Sequence, residues 1–182
     1  MPNYIDSIKL IRFKNFSHQI ALSILEIRNQ DHIRKNMIND QFIKLDDHLN
    51  WFKDNIINPK NIFYLIYIKN KVSGLVRFII KENKAEWSFY LEKNCKNIYG
   101  AYIEYLAIEK VFEIKKIDTL ECQVLSNNTR VLSLHIKFGF TITRLAKNIL
   151  CSENKYCDIF FLTNDKKSWN IKRLEIKKKL KC

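Results

Sequence analysis

The segment SNNTRVLSLHIKFGF, Ser126–Phe140, sets a histidine, His135, four residues ahead of Gly139-Phe140. At helical spacing Val131, His135 and Phe138 share one face. Val and Phe are core types, so that face packs inward. Two readings stay open for His135: a neutral imidazole satisfied inside the core, or a proton donor at the edge of a cleft, where its titration near neutrality is useful. A second group lies in EWSFYL. Strand alternation puts Glu86, Ser88 and Tyr90 on one face and Ala85, Trp87, Phe89 and Leu91 on the other. A carboxylate, a hydroxyl and a phenol in a row suit proton transfer, or they form a solvated face.

A third group is the run from Asn97 to Tyr102, read as a loop entering a helix. A helix start offers unpaired N–H groups and a positive dipole end, which hold a pyrophosphate. Gly100 would let the phosphate come close to the backbone; an ordinary turn with one glycine reads the same way. GxxxxGK[ST] and GxGxxG are both absent, so neither nucleotide loop is supported. A fourth group is EIRNQDHIRKNM, which concentrates Glu26, Arg28, Asn29, Asp31, His32 and Arg34 as binding groups or as exposed charge. Asp46, Asp47 and His48 are adjacent on a helix and point in different directions, so no metal site is expected.

The elements that must position these groups follow from periodicity. A strand is expected over Ser7–Phe13 and a helix over His18–Gln30, with Ile20, Ile24 and Ile27 on one face. A polar stretch follows, then a helix over about Leu45–Asn55, ended by Asn58-Pro59. Asn61–Ile68, Val72–Ile80 and Ala85–Leu91 read as an antiparallel meander with turns at Asn70-Lys71 and Asn83-Lys84. A helix over about Ala101–Lys115 leads to a strand over Ile117–Leu125, parallel to its predecessor because a helix connects them. A helix over Asn128–Phe138, a closing strand pair at Phe140–Arg144 and Tyr156–Leu162, and a basic terminal helix over about 165–182 complete the chain. This is an α/β (α+β) order: a mixed central sheet of antiparallel meander and splayed parallel pair, with helices on both faces.

With 182 residues the chain reads as one domain. It is long enough to bury roughly 70% of its unfolded surface. Its 3 Gly and 2 Pro argue against a linker or low-complexity tract. The net charge of +13 fits anionic partners or a lysine-decorated surface. No apolar run spans a bilayer and the N-terminus lacks a signal-peptide core, so no membrane partner is expected. The 5 cysteines form no CxxC pair, consistent with free thiols in a reducing cytoplasm.

Taken together, NNTRVLSLHIKFGF and the meander resemble the GNAT acetyltransferase superfamily. EWSFYLEKN, GAYIEYLAIEKVFEIKKIDTLECQVLSNN, LHIKFGF, EIRNQDHIRKNM, LDDHLNWF and Trp169 are similar to the N-acetyltransferases of pseudaminic acid biosynthesis. Those enzymes acetylate the 4-amino group of a UDP-linked dideoxy-altrosamine. The resemblance runs from about Ile24 to Trp169. It implies acetyl-CoA as cosubstrate, no metal, and a nucleotide-activated amino sugar as partner, and it admits a homodimer.

The resemblance also implies roles. Backbone N–H groups near Tyr90 and Leu91 would bind the thioester carbonyl. Asn97, Ile98, Gly100, Ala101 and Tyr102 would hold the pyrophosphate, and Asn128 and Lys137 would lie along the coenzyme. His135 falls at the general acid, with Glu86 as base and Tyr90 beside the chemistry. Arg28, Asn29, Arg77 and Ser88 would meet the sugar nucleotide. One departure stands out: Ile98 occupies the place of the first glycine in the family's pyrophosphate loop. Rival readings are a protein N-terminal acetyltransferase of the ribosomal-protein type and a non-catalytic basic binding module. Nucleic acid is disfavoured, because no recognition motif accompanies the charge.

Overall fold

A computed structural model describes residues 4–152 and 155–180, and for residues 96–98 and Ser152 the backbone alone. After a 3-10 turn at Tyr4–Ser7 come β1 (Ile8–Phe13), α1 (His18–Arg28), α2 (Asp31–Arg34), α3 (Leu45–Ile57), β2 (Asn61–Ile68), β3 (Lys71–Lys81) and β4 (Lys84–Leu91). Then follow α4 (Lys96–Phe112), β5 (Thr119–Leu125), α5 (Thr129–Lys137), β6 (Thr141–Ser152), β7 (Lys155–Asp165) and α6 (Lys166–Leu180). All described strands join one sheet in the order β1-β2-β3-β4-β5-β7-β6.

The meander hairpins turn one residue earlier than the sequence suggested. Lys69 and Asn70 both take positive φ, 51° and 64°, as a two-residue hairpin matched to strand twist demands. Glu82, at φ 54°, opens the second turn. The parallel pair is short. β4 and β5 are in register only from Lys84↔Thr119 to Glu86↔Glu121, after which they part. On its far side β5 pairs antiparallel with β7, which separates it from β6.

The core has two layers. One face of the sheet packs on α4, α5 and α6 around Ile103, Ile108, Leu120, Phe138 and Trp169. The other packs on α1 and α3 around Ala21, Ile24, Phe52, Phe63 and Leu75. Helix α4 is enclosed because α6 covers its outer side: Glu109 accepts from Trp169 Nε1 at 2.7 Å and from Arg173 at 2.6 Å.

Three expectations need correction. Helix α4 starts at Lys96, not near Ala101, so Asn97–Tyr102 lies inside the helix rather than in a loop before it. Gly100 in a helix costs about 1 kcal/mol relative to alanine, but Tyr99 beside it is buried edge-on against Tyr4 and holds the first turn down. Strands β6 and β7 run well beyond the expected Phe140–Arg144 and Tyr156–Leu162. Their polar residues are absorbed by bulges, one at Asn148, whose positive φ brings its N–H to Asp158 Oδ1 at 3.0 Å. The polar stretch after α1 holds the short helix α2.

Candidate active site

The parting of β4 from β5 creates the site. Backbone groups on a strand alternate sides. The Glu92 N–H reaches Ser73 O on β3 at 2.8 Å. Tyr90 O also faces β3, since a Cβ placed on Gly74 would lie 2.1 Å from it. The groups of Phe89 and Leu91 therefore face the open edge, and the Leu91 carbonyl there is bonded to His32 Nε2 at 2.9 Å. Of the two expected thioester donors, Leu91 offers its N–H to the gap, and the Tyr90 N–H faces β3.

The gap is a cavity of about 380 Å³. Ser88, Tyr90, Leu91, Gly100, Asn128 and His135 line it, with Trp87, Cys122 and Arg130. Gly100 presents a bare patch of α4 here: a Cβ on it would meet nothing within 4 Å.

His135 is fixed by the end of its helix. Gly139 takes φ 93°, Gly139 N–H bonds Ile136 O and Phe140 N–H bonds His135 O, each at 3.0 Å. This paired closure is the Schellman arrangement, which needs glycine at that point. Asn164 adds a bond to Phe138 O at 3.1 Å. The buried imidazole packs against Trp87 and Phe140, ring centroids 5.4 and 5.0 Å away. Its Nδ1 lies 2.7 Å from Glu104 Oε1, and Glu104 is fully buried on α4. Burial alone would lower the imidazole's pKa. The Glu104 charge and the ring's hydrogen bonds to the Cys122 sulfur and to Glu104 outweigh it, and His135 is pushed up to about 10. Burial also raises the Glu104 carboxyl, against the pull of His135. The pair therefore keeps a proton at neutral pH.

A second cavity, of about 400 Å³, adjoins the first. Arg28, Asp47, His48, Trp51 and Arg77 line it, and Met37, Ser88 and Tyr90 border both cavities. Arg77 is stacked on Trp51 and Phe63 at 5.2 and 5.7 Å and bonded to Asn55 and Asn61. Arg28 donates Nη2 to Asn39 O at 3.2 Å, and its buried Nη1 has no protein partner. Desolvation lowers both guanidinium pKa values from a very high start, and the charges remain. Burial raises the Tyr90 phenol, which stays protonated. His48 is pushed down by burial and bonds Ala21 O, as a packing histidine does.

Other expected site residues fall elsewhere. Glu86 borders neither cavity, and its carboxylate is held by Lys81 at 2.7 Å. Asn29 clasps Ile43 through both its amide atoms and so shapes the second cavity from behind. Ala101 and Tyr102 border neither cavity; Tyr102 packs on Tyr4. Lys137 is exposed on the far side of α5. The side chains of Asn97 and Ile98 lie outside the described part. Sequence reasoning missed Glu104, Cys122 and Trp51 as site residues, while His32 was among the candidate binding groups after α1. Glu104 carried a signal, a carboxylate within the apolar run IEYLAI.

Residues 16–161 match the acetyltransferase (GNAT) domain family. This chain belongs to the GNAT acetyltransferases. A curated relative, the acetyltransferase PseH of Campylobacter jejuni, is 28% identical over 138 residues, covering 73% of this chain and 86% of its own. The crystal structure of Campylobacter jejuni N-acetyltransferase PseH superposes with a TM-score of 0.63 at 22% identity, over 88% of this chain and 99% of that one. Spermidine N-acetyltransferase from Vibrio cholerae, solved with CoA and spermine, gives a TM-score of 0.80 at 14% identity over 91% and 99%. At such identities the structural likeness is one of fold. An acetyltransferase of this family is thus the chemical frame for the two joined cavities. No described helix is long and apolar enough to cross a membrane.

Proposed function

We propose that this acetyltransferase moves an acetyl group from acetyl-CoA to the 4-amino group of a UDP-linked 4-amino-4,6-dideoxy sugar, as a step of pseudaminic acid-type biosynthesis. The observation that carries the reading is the pair of cavities meeting at Ser88 and Tyr90, one against an open strand edge and one bordered by two buried arginines. Acetyl-CoA supplies the acetyl group as a thioester. The gap suits its arm: bare helix surface at Gly100, Asn128 along the wall and the Leu91 N–H at the edge. The unpaired N–H groups at the start of α4, around Lys96, suit its phosphates. In the second cavity Arg28 has a buried nitrogen left for a diphosphate oxygen, and Trp51 offers a flat face for a base.

The amine attacks the carbonyl carbon while the Leu91 N–H steadies the oxygen. As the carbon–sulfur bond breaks, His135 gives its proton to the sulfur. The nitrogen's proton leaves to water at Ser88, which borders both cavities. Glu86 has no part in this scheme. Both cosubstrates are cytoplasmic metabolites, which sets the enzyme there. The curated relatives named PseH support this acceptor above a peptide.

The test is CoA release from acetyl-CoA with two acceptors in parallel, the UDP-linked 4-amino-4,6-dideoxy sugar and a ribosomal N-terminal peptide. Release with the sugar alone is expected. Release with the peptide alone would overturn the acceptor and keep the chemistry.

A further inference from the structure

We infer that Glu104 is a positioning residue for the transfer: its carboxylate fixes the proton on His135 Nδ1 and holds the imidazole charged, which makes Nε2, the nitrogen away from Glu104, the donor. The inference rests on the proposed role of His135 as the acid. Four observations support it. The Nδ1–Oε1 distance of 2.7 Å is that of a charge-assisted bond. Both side chains are almost wholly buried, 4% exposed for His135 and 0% for Glu104, so water does not weaken the bond. Glu104 serves no other described group, because Oε2 is buried without a partner. The pair also spans the elements that must be held together, since Glu104 comes from the helix beside the gap and His135 from the helix that closes it.

A carboxylate buried for packing alone is unfavourable; an apolar residue of similar volume would stabilise the core as well or better. A carboxylate that sets the tautomer and charge of an acid has a reason to be there. Other titratable or charged groups around the imidazole are Cys122 on β5, which also hydrogen-bonds it, Arg130 on α5 and His32 on α2. The Arg130 guanidinium would not favour a charged imidazole, and of the two groups that do, Glu104 and Cys122, the Glu104 charge contributes more.

The sign follows. An imidazolium donor is present below its pKa and lost above it. With Glu104 in place that loss lies far above neutrality; without it, His135 falls to near its ordinary value of about 6.5. In Glu104→Gln, which keeps the shape, the ratio of variant to wild-type kcat with the UDP-linked sugar should stay near one at pH 6. It should fall about 30-fold by pH 8, with the KM for acetyl-CoA changed less than about threefold. A ratio equally low at every pH would mark a packing role and overturn the proposal.

The protonation state can be read without any substrate. The Cε1–H NMR titration of His135, assigned with His135→Ala, should have a midpoint well above 7 in the wild type and near about 6.5 in Glu104→Gln. Equal midpoints would sink the proposal whatever the acceptor is. If the Gln variant does not fold, the wild-type midpoint decides: at or below the ordinary histidine value it overturns the assignment. The catalytic reading fails separately, if His135→Ala keeps wild-type kcat.

Discussion

At the scale of single residues, His135 shows how one side chain serves both packing and chemistry. It is buried against Trp87 and Phe140 and also borders the cavity. Removing it should lower kcat by roughly 10²–10⁴-fold, the usual size of a general-acid contribution, and leave the fold intact. Folding survives because Glu104 then takes a proton: burial already raises its carboxyl, and a neutral acid is tolerated in that pocket. Circular dichroism and steady-state kinetics on His135→Ala check both halves. A chain that unfolds, or one that turns over normally, goes against this account. Of the residues expected at the site, Ser88, Tyr90 and Leu91 on β4 and Asn128 and His135 at α5 arrived together. Glu86 did not, since it sits where β4 and β5 are still paired and the cleft has not opened.

At the scale of elements, the site depends on how tightly β3 holds β4. Gly74 sits opposite Leu91, and a Cβ there would lie 2.1 Å from Tyr90 O. The obstacle is backbone, which no rotamer change relieves. Gly74→Ala should therefore cost about 1–3 kcal/mol of stability, as overpacking does, and push the end of β4 toward the gap. Thermal melting with and without acetyl-CoA measures this. The variant should melt lower and gain less from the ligand. An unchanged melting point would mean that β3 and β4 separate more freely than their register indicates. Strand alternation, helix periodicity and the glycine closing α5 were legible in the sequence because each is a local rule. The start of α4 was not, since its first turn is held by Tyr99 against Tyr4, a contact between residues far apart in the chain.

At the scale of the whole molecule, the charge of +13 surrounds a site whose proposed ligands are both polyanions. Such a field speeds encounter and is screened by salt. Raising sodium chloride from about 0.05 to about 0.3 M should lower kcat/KM for the sugar nucleotide several-fold with kcat nearly constant. If kcat/KM is indifferent to salt, the lysines are surface decoration. Tight salt-sensitive RNA binding would instead revive the nucleic-acid reading.

By itself the sequence determined the order of elements apart from α2, the mixed sheet, the family and the chemical character of His135 and the β4 face. All of these are carried by residues near one another in the chain. Only the tertiary structure decided which groups meet. It set Glu104 against His135, 31 residues apart, and turned the Leu91 edge toward an open gap. It also took Glu86, Asn29 and Lys137 out of the cleft. The physical reason is that a side chain's role depends on what lies opposite it. What lies opposite is fixed by where β4 and β5 part and by which helices then cover the break.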